Sequence, residues 1–261
     1  MMNINYLLDR YFIKQPRVRE LATKLIYGSA DTSVELLGVN FVVNKLRENG
    51  YFRAYRKSQR SSLLQDEYPV IMNLAHFAQE GGTFVDAGAN IGIYSIFFSR
   101  FQSFFDHFEV HAFEASPETF RRLELNSEAH AFKCHNVALS DKVGELRFVQ
   151  GAVSHVTTLV DKRNDYSIEG TEFSVTAMPL HAVGLRGNNI ILKVDVEGQE
   201  YEVLKGAEPL FEERRIRALY LDGYSSIEVP RFLKRFGFRF FNGRTLRAAT
   251  DIEWSLLAVR D

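Results

Sequence analysis

TFVDAGANIG (83–92), running on into IYSIFFSRF (93–101), decides the fold. A short apolar strand ends in a carboxylate, turns on glycines, and opens directly into an apolar helical pattern. Gly88 permits the tight turn and Gly92 a close approach of helix to strand or ligand, because a Cβ intrudes at either point. Dinucleotide folds present G-x-G-x-x-G, whose middle glycine lets the backbone meet a pyrophosphate. Here Ala89 and Asn90 occupy that region, so pyrophosphate binding is disfavoured.

Outward from this loop, strand and helix patterns alternate as in a doubly wound parallel sheet covered on both faces. Strands are expected at 83–88, 110–114, 132–138, 190–196, 216–222, 238–242 and 254–260. Helices are expected at 92–101, 117–129, 199–213 and 227–236, with Ser116–Pro117 and Gly206 near their ends. Between the third and fourth strands, GELRFVQG (144–151) and EFSVTAMP (172–179) read as an inserted β-hairpin, either a wall of the site or a surface excursion. Before residue 80 the pattern changes: helices at 5–27 and 66–79 flank strands at 34–43 and 51–57 with a turn at Glu48–Gly50. The expected division is an N-terminal cap (1–80) on the acceptor side and a catalytic domain (81–261).

The chain has 261 residues, 46% hydrophobic and 25% charged, with a formal charge of -1. That balance is that of one globular body and offers no basic field for a phosphate backbone, so nucleic acid is not the expected partner. Arg53, Arg56, Lys57 and Arg60 form a basic run, read as a solvated face or the rim of an acidic-acceptor site. Cys134 is the single cysteine and no membrane span is visible, so a reducing cytoplasm is the default expectation. Oligomeric state is left open.

Asp86 opposes a phosphate but attracts an amino group, directly or through water. Glu114, 22 residues past Gly92 in HAFEAS, stands where such folds hold an adenosine ribose, and a carboxylate accepts both ribose hydroxyls. The pair favours S-adenosylmethionine as cofactor, with Gly88, Asn90, Gly92 and Ala115 in the same two loops. The bland alternative is that both acids are satisfied by helix N-termini. Asn136 and Ala138, at the end of the third strand, lie level with the adenine; Asn136 serves equally well as a partner for loop backbone.

IILKVDVEGQEYEVLKGA (190–207) ends a second apolar strand in Asp195 and Glu197 at the same carboxyl edge, where open α/β sheets bind ligands. Together with DAGANIG (86–92), FEASPETFRRLELN (113–126) and NVALSDKVGEL (136–146), this segment resembles the FkbM-type methyltransferase family over roughly residues 80–222. The resemblance implies a seven-stranded Rossmann-like fold with its last strand antiparallel. It also implies O-methylation of a hydroxyl on a sugar, glycan, glycolipid or natural product. The chain departs from the family pattern at His181, where an acid is common, and at Asp222, where a glutamate is frequent.

Methyl transfer needs an aligned acceptor oxygen and a base for its proton. Asp195, or Glu197 beside it, is the first candidate, with Lys193 orienting the carboxylate; Asp195 as a helix cap is the alternative. His155, in GAVSHVTT, is a second candidate base. Asp195 with Asp222 offers oxygen ligands for magnesium, whereas no His/Cys spacing supports zinc, and no metal is the expectation. Tyr51, Phe52 and Tyr55 are either a sugar platform or core. The competing functions are a nucleotide-sugar or dinucleotide oxidoreductase and a noncatalytic scaffold on the same sheet.

Overall fold

The computed structural model describes residues 16–36, 38–56, 63–151, 157–160, 170–248 and 254–260. Its centre is a seven-stranded sheet made of β3 (Thr83–Ala87), β4 (Glu109–Phe113), β5 (Lys133–His135), β10 (Ile190–Val194), β11 (Ile216–Gly223), β12 (Arg239–Asn242) and β13 (Trp254–Val259). The spatial order is β12-β13-β11-β10-β3-β4-β5. The five strands from β11 to β5 run parallel, and β13 is antiparallel to both β11 and β12. Strand order reverses between β3 and β10, so their carboxyl ends open the crevice at which such sheets bind ligands.

β3 and β10 are buried along their whole length, which fits strands covered on both faces. Along β3 the side chains alternate between two cores: Phe84 packs with Ile91, Ile96 and Phe98 on one face, and Val85 with Leu192, Leu204 and Phe211 on the other. The helices behind them are α4 (Ile93–Ser99), α5 (Pro117–His130), α6 (Glu200–Gly206), α7 (Glu208–Glu212) and α8 (Glu228–Arg235). The expected helix over 199–213 is broken in two. Gly206 lies so close to the Ser140 carbonyl that a Cβ would come within 1.9 Å of it, and Pro209 restarts the chain in the first turn of α7.

The inserted hairpin is present. β7 (Gly144–Gln150) pairs antiparallel with β9 (Thr171–Met178), and β6 (Ala138–Leu139) and β8 (Thr157–Leu159) extend it to four strands. It is anchored to the start of α5, where Ser116 Oγ donates to Gln150 Oε1 at 2.6 Å and Gln150 Nε2 to Thr119 Oγ1 at 3.0 Å. These bonds are buried, so the insertion is packed onto α5.

The N-terminal region differs from expectation. The hairpin lies wholly within residues 31–44, as β1 (Asp31–Leu36) and β2 (Val39–Asn44), and reverses at Gly38 with φ +76°. Of the strand expected at 51–57, residues 51–55 are helical, within α2 (Asn49–Tyr55), and Lys57 lies outside the described residues; α2 is preceded by α1 (Pro16–Tyr27) and followed by a π-helical turn (Leu63–Glu67) and α3 (Tyr68–Ala75). The turn before α2 is fixed by Glu48, whose Oε2 accepts the Asn44 N–H at 2.7 Å while Oε1 pairs with buried Arg122 of α5 at 3.0 Å. Nor are the two described members of the basic run, Arg53 and Arg56, on a solvated face. Arg53 is 7% exposed and Arg56 lies over the Tyr27 and Phe52 rings; Lys57 and Arg60 fall outside the described residues.

Val34, Phe41, Val43, Phe52, Val70 and Leu74 belong to the same core as Phe84 and Phe98. The N-terminal region is therefore built onto the sheet's helix layer rather than around a core of its own. Among the described residues no helix is long and apolar enough to cross a membrane.

One side chain ties the N-terminal hairpin to both the glycine loop and α5. Asn126 Oδ1 accepts the Val42 N–H at 2.7 Å, and Nδ2 donates to the Ile91 carbonyl at 2.8 Å. Asn126→Ala leaves both backbone groups without this partner and is expected to cost about 2–3 kcal/mol, read as a lower urea midpoint at unchanged m-value.

Candidate active site

Register places the site's charges. Lys193 of β10 lies opposite Asp86 of β3 and Tyr220 of β11, so the central three strands present an ammonium, a carboxylate and a phenol on one face. Lys193 is 3% exposed. Its Nζ is 3.1 Å from Asp86 Oδ1 and 3.5 Å from Asp195 Oδ2, donates to the Gly88 carbonyl at 2.8 Å, and sits 5.3 Å from the Tyr94 ring centre. Burial alone would lower its pKa, but the Asp86 and Asp195 carboxylates hold it above the ordinary lysine value.

Asp86 is 0% exposed, and its second oxygen accepts from Ser95 Oγ at 2.8 Å. It lines neither cavity of the site. Direct contact with a ligand amino group, expected from its place at the strand end, is sterically closed; Asp86 instead holds Lys193.

Gly88 (φ +74°) follows, and a Cβ there would lie 1.9 Å from the Asp195 carbonyl oxygen; only glycine lets the loops after β3 and β10 touch. Gly92 (φ +87°) caps α4 with its missing side chain against Leu123. Asn90 takes φ 53°, its N–H donates to Glu114 Oε2 at 2.9 Å, and its buried Oδ1 has no hydrogen-bond partner among the described residues.

Two cavities meet at this edge. The first is a cleft whose polar lining is Asn90, Glu114, Asp195, Glu197 and Gln199, with Gly88, Ala115 and Ala138 and an apolar wall of Phe113, Val137, Leu139 and Phe148. Phe148 comes from the inserted hairpin, so that insertion builds the site. Glu114 is 8% exposed and also accepts the Ser116 N–H at 2.8 Å; burial pushes its pKa up to about 7 against the pull of these two N–H donors. Asn136 does not line the cleft. Its Nδ2 donates to the carbonyls of Glu114 at 2.8 Å and Ala115 at 3.1 Å, so the amide fastens the loop after β4 and the alternative reading of it prevails.

The second cavity, about 420 Å³, lies on the N-terminal side and is lined by Arg47, Tyr51, Arg53, Glu67, Tyr94, Lys193, Tyr220, Asp222 and Arg244 among others. Asn90, Asp195 and Glu197 belong to both cavities.

Asp195, in the wall shared by both cavities, keeps 42% of its side-chain surface open. Desolvation there raises its pKa, with Lys193 opposing and Asp222 and Asp86 adding to the rise. Glu197, with φ 48°, is raised to about 7 by burial and by the neighbouring Asp195 and Glu200 carboxylates. Asp195 does not cap α6: the N-cap is Gln199, which makes no side-chain cap bond, and the Gly198 N–H is taken by Glu200 Oε1 at 2.7 Å.

His155 lies outside the described residues. Among the described residues, no group of three or more His, Cys, Asp or Glu is placed to hold a metal ion. His181 bonds the Gly206 carbonyl at 2.8 Å, a structural clip.

Several lining residues escaped the sequence reading. Tyr94 and Tyr220 stack with ring centres 6.4 Å apart; the alternation in LYLD (219–222) put Tyr220 on the face of Asp222 and was the available signal. Tyr51 donates to Glu67 Oε2 at 3.1 Å, a pairing between two N-terminal elements that no spacing rule links. Of the three aromatics weighed in the cap, Tyr51 lines the cavity, Phe52 is core and Tyr55 is exposed.

The strand order, with an antiparallel last strand inserted beside β11, is that of a class I methyltransferase. A family profile described as the methyltransferase FkbM domain matches residues 86–240, more than half of the chain, and the chain belongs to that family. The hexuronic acid methyltransferase AglP of Haloferax volcanii is 32% identical over 147 residues, covering 55% of this chain and 57% of that protein. The chain thus spans little more than half the length of that relative. A methyltransferase FkbM from Methylobacillus flagellatus KT superposes with a TM-score of 0.47 at 16% identity, over 70% of this chain and 44% of that one. A TehB-like SAM-dependent methyltransferase from Corynebacterium glutamicum gives 0.42 at 13%, over 81% and 97%.

Lys193→Met would leave Asp86 sealed without its cation. A loss of about 3–5 kcal/mol is expected, measured by urea unfolding, because an uncompensated charge in a closed core is the costly half of a broken pair.

Proposed function

We propose that the protein transfers a methyl group from S-adenosylmethionine to a hydroxyl oxygen of a small sugar-like acceptor, free or part of a glycan, glycolipid or natural product. The observation that carries this is the junction of two cavities on Asn90, Asp195 and Glu197. A two-substrate displacement needs such a junction. S-adenosylmethionine, when bound, supplies an electrophilic methyl group on sulfur.

The first cleft suits it part by part. Glu114 offers each carboxylate oxygen a free lone pair for the ribose hydroxyls, and Phe113, Val137, Leu139 and Phe148 form an apolar slot of the kind adenine fills. The close approach at Gly88 keeps the cleft floor free of side chain.

In the second cavity, residues 47–53 and 66–67 furnish the acceptor side, in keeping with a cap over residues 1–80. Asp195 accepts the acceptor's hydroxyl proton as the oxygen attacks. Lys193 holds that carboxylate in place, and Glu197 stands beside it as the second proton holder. The relative's name places its own acceptor among the sugars, and the polar second cavity is of a size to admit one.

Methyl-labelled cofactor incubated with fractionated glycans, lipid-linked glycans and natural products tests the reading: label is expected in a sugar-bearing fraction. A folded protein that binds neither S-adenosylmethionine nor S-adenosylhomocysteine would defeat it, and one that binds both but labels nothing is a scaffold. Asp195→Asn is expected to lower kcat about 100-fold or more while S-adenosylhomocysteine affinity stays within a few-fold. A Glu197→Gln protein that loses more turnover than Asp195→Asn reverses the two roles.

Affinity also carries a pH signature. Glu114 accepts ribose hydroxyls best as a carboxylate, and it takes up a proton at about pH 7. Binding then requires proton release below that pH and none above it. Calorimetry should show S-adenosylhomocysteine affinity falling between pH 8 and pH 6, by up to about tenfold per pH unit once below 7.

A further inference from the structure

Two tyrosine–carboxylate pairs line the second cavity. Tyr51 Oη donates to Glu67 Oε2 at 3.1 Å, and Tyr220 Oη donates to Asp222 Oδ1 at 2.9 Å. Each tyrosine fixes one carboxylate oxygen of its partner and leaves the other as a hydrogen-bond acceptor. These pairs come from different parts of the fold, the first from α2 and the π-helical turn and the second from β11, so the cavity holds its acceptors from two sides of the chain.

The charges around them are unequal. Among the described residues every cation in the wall is already engaged: Arg47 with Glu118 at 2.7 Å, Lys193 with Asp86 and Asp195, Arg244 with Asp66 at 2.8 Å, and Arg53 with a partner of its own. Glu67, Glu197 and Asp222, by contrast, have no cation at ion-pair distance among the described residues. Bringing a further carboxylate into this space sets like charges together with no free counter-charge among the described residues. Bringing hydroxyls or an ammonium satisfies oxygens that want donors.

We propose that the second cavity selects an acceptor without an anionic group, a neutral or amine-bearing sugar rather than a uronate or sugar phosphate, whose hydroxyls donate hydrogen bonds to the free oxygens of Glu67 and Asp222. The inference rests on the methyltransferase reading and narrows its substrate class. The same crowding shows in the wall itself: burial together with Asp195 and Asp222 pushes Glu67 up to about 7, against the Tyr51 hydrogen bond and Lys193.

The test uses three matched probes, methyl β-D-glucoside, methyl β-D-glucosaminide and methyl β-D-glucuronide, with labelled S-adenosylmethionine and the full chain. The expected result is that kcat/KM for the glucoside or the glucosaminide exceeds that for the glucuronide by about tenfold or more. Glu67→Gln and Asp222→Asn should each raise KM for the preferred glycoside about tenfold with S-adenosylhomocysteine affinity unchanged, and Glu67→Gln should narrow the gap to the glucuronide. Equal or faster transfer to the glucuronide overturns the proposal. So does an unchanged KM in both variants, or no transfer to any of the three by protein that binds S-adenosylhomocysteine. A folded wild type that binds no S-adenosylhomocysteine fails at the underlying reading instead, and calorimetry run alongside tells the two apart.

Discussion

The Lys193 ammonium, closed in at the middle of the sheet, is the constraint on which the rest of the site depends. It stands on the central strand, opposite Asp86 on one neighbour and Tyr220 on the other, and it also reaches the Gly88 carbonyl and Asp195. One cation thus fixes the end of β3, the turn that follows it and the carboxylate at the end of β10. Two charges withdrawn from water are tolerable only when well paired, and here a third polar partner, the Gly88 carbonyl, completes the arrangement. Slipping β10 by one residue would turn Lys193 into the opposite apolar core, so the pair also specifies register.

From that anchor the architecture of the two cavities follows. Gly88 brings the loops after β3 and β10 into contact, and Asn90 and Glu197, each in a left-handed backbone conformation, line the junction of the two cavities. Non-glycine residues in this conformation carry strain that packing must hold, and both lie where two ligands are proposed to meet. The inserted hairpin supplies one wall through Phe148, and the N-terminal elements supply the other through Tyr51 and Glu67.

Much of this was legible in the sequence because parallel strands buried on both faces read as apolar runs, and strand-end acids stand out against them. The strands of the sheet, the hairpin insertion, the glycine loop, Glu114, Asp195 and Glu197 all fall into this class. What misled was local. VELLGVNFVV (34–43) looks like one strand because Gly38 gives no sign of a reversal in a continuous apolar pattern. YFRAYRK alternates well enough to pass for β, yet its first five residues are helical, with Phe52 packed in the core and the Glu48–Arg122 pair ahead of them. Asp86 was placed correctly but assigned to a ligand, since a sequence does not reveal that a lysine 107 positions later closes over it. The tyrosine–carboxylate pairs depend on the same kind of long-range meeting.

The merging of the N-terminal hairpin and helices into the core of the sheet's helix layer bears on how this chain could diversify. Where acceptor-binding parts are separate lids, selection can exchange them freely. Here the residues proposed to meet the acceptor share a backbone with Phe41, Phe52 and Leu74, whose packing the central strands need. New substrates are therefore reached more readily by point changes on the cavity surface than by transplanting the segment, and any graft must bring compensating core substitutions with it.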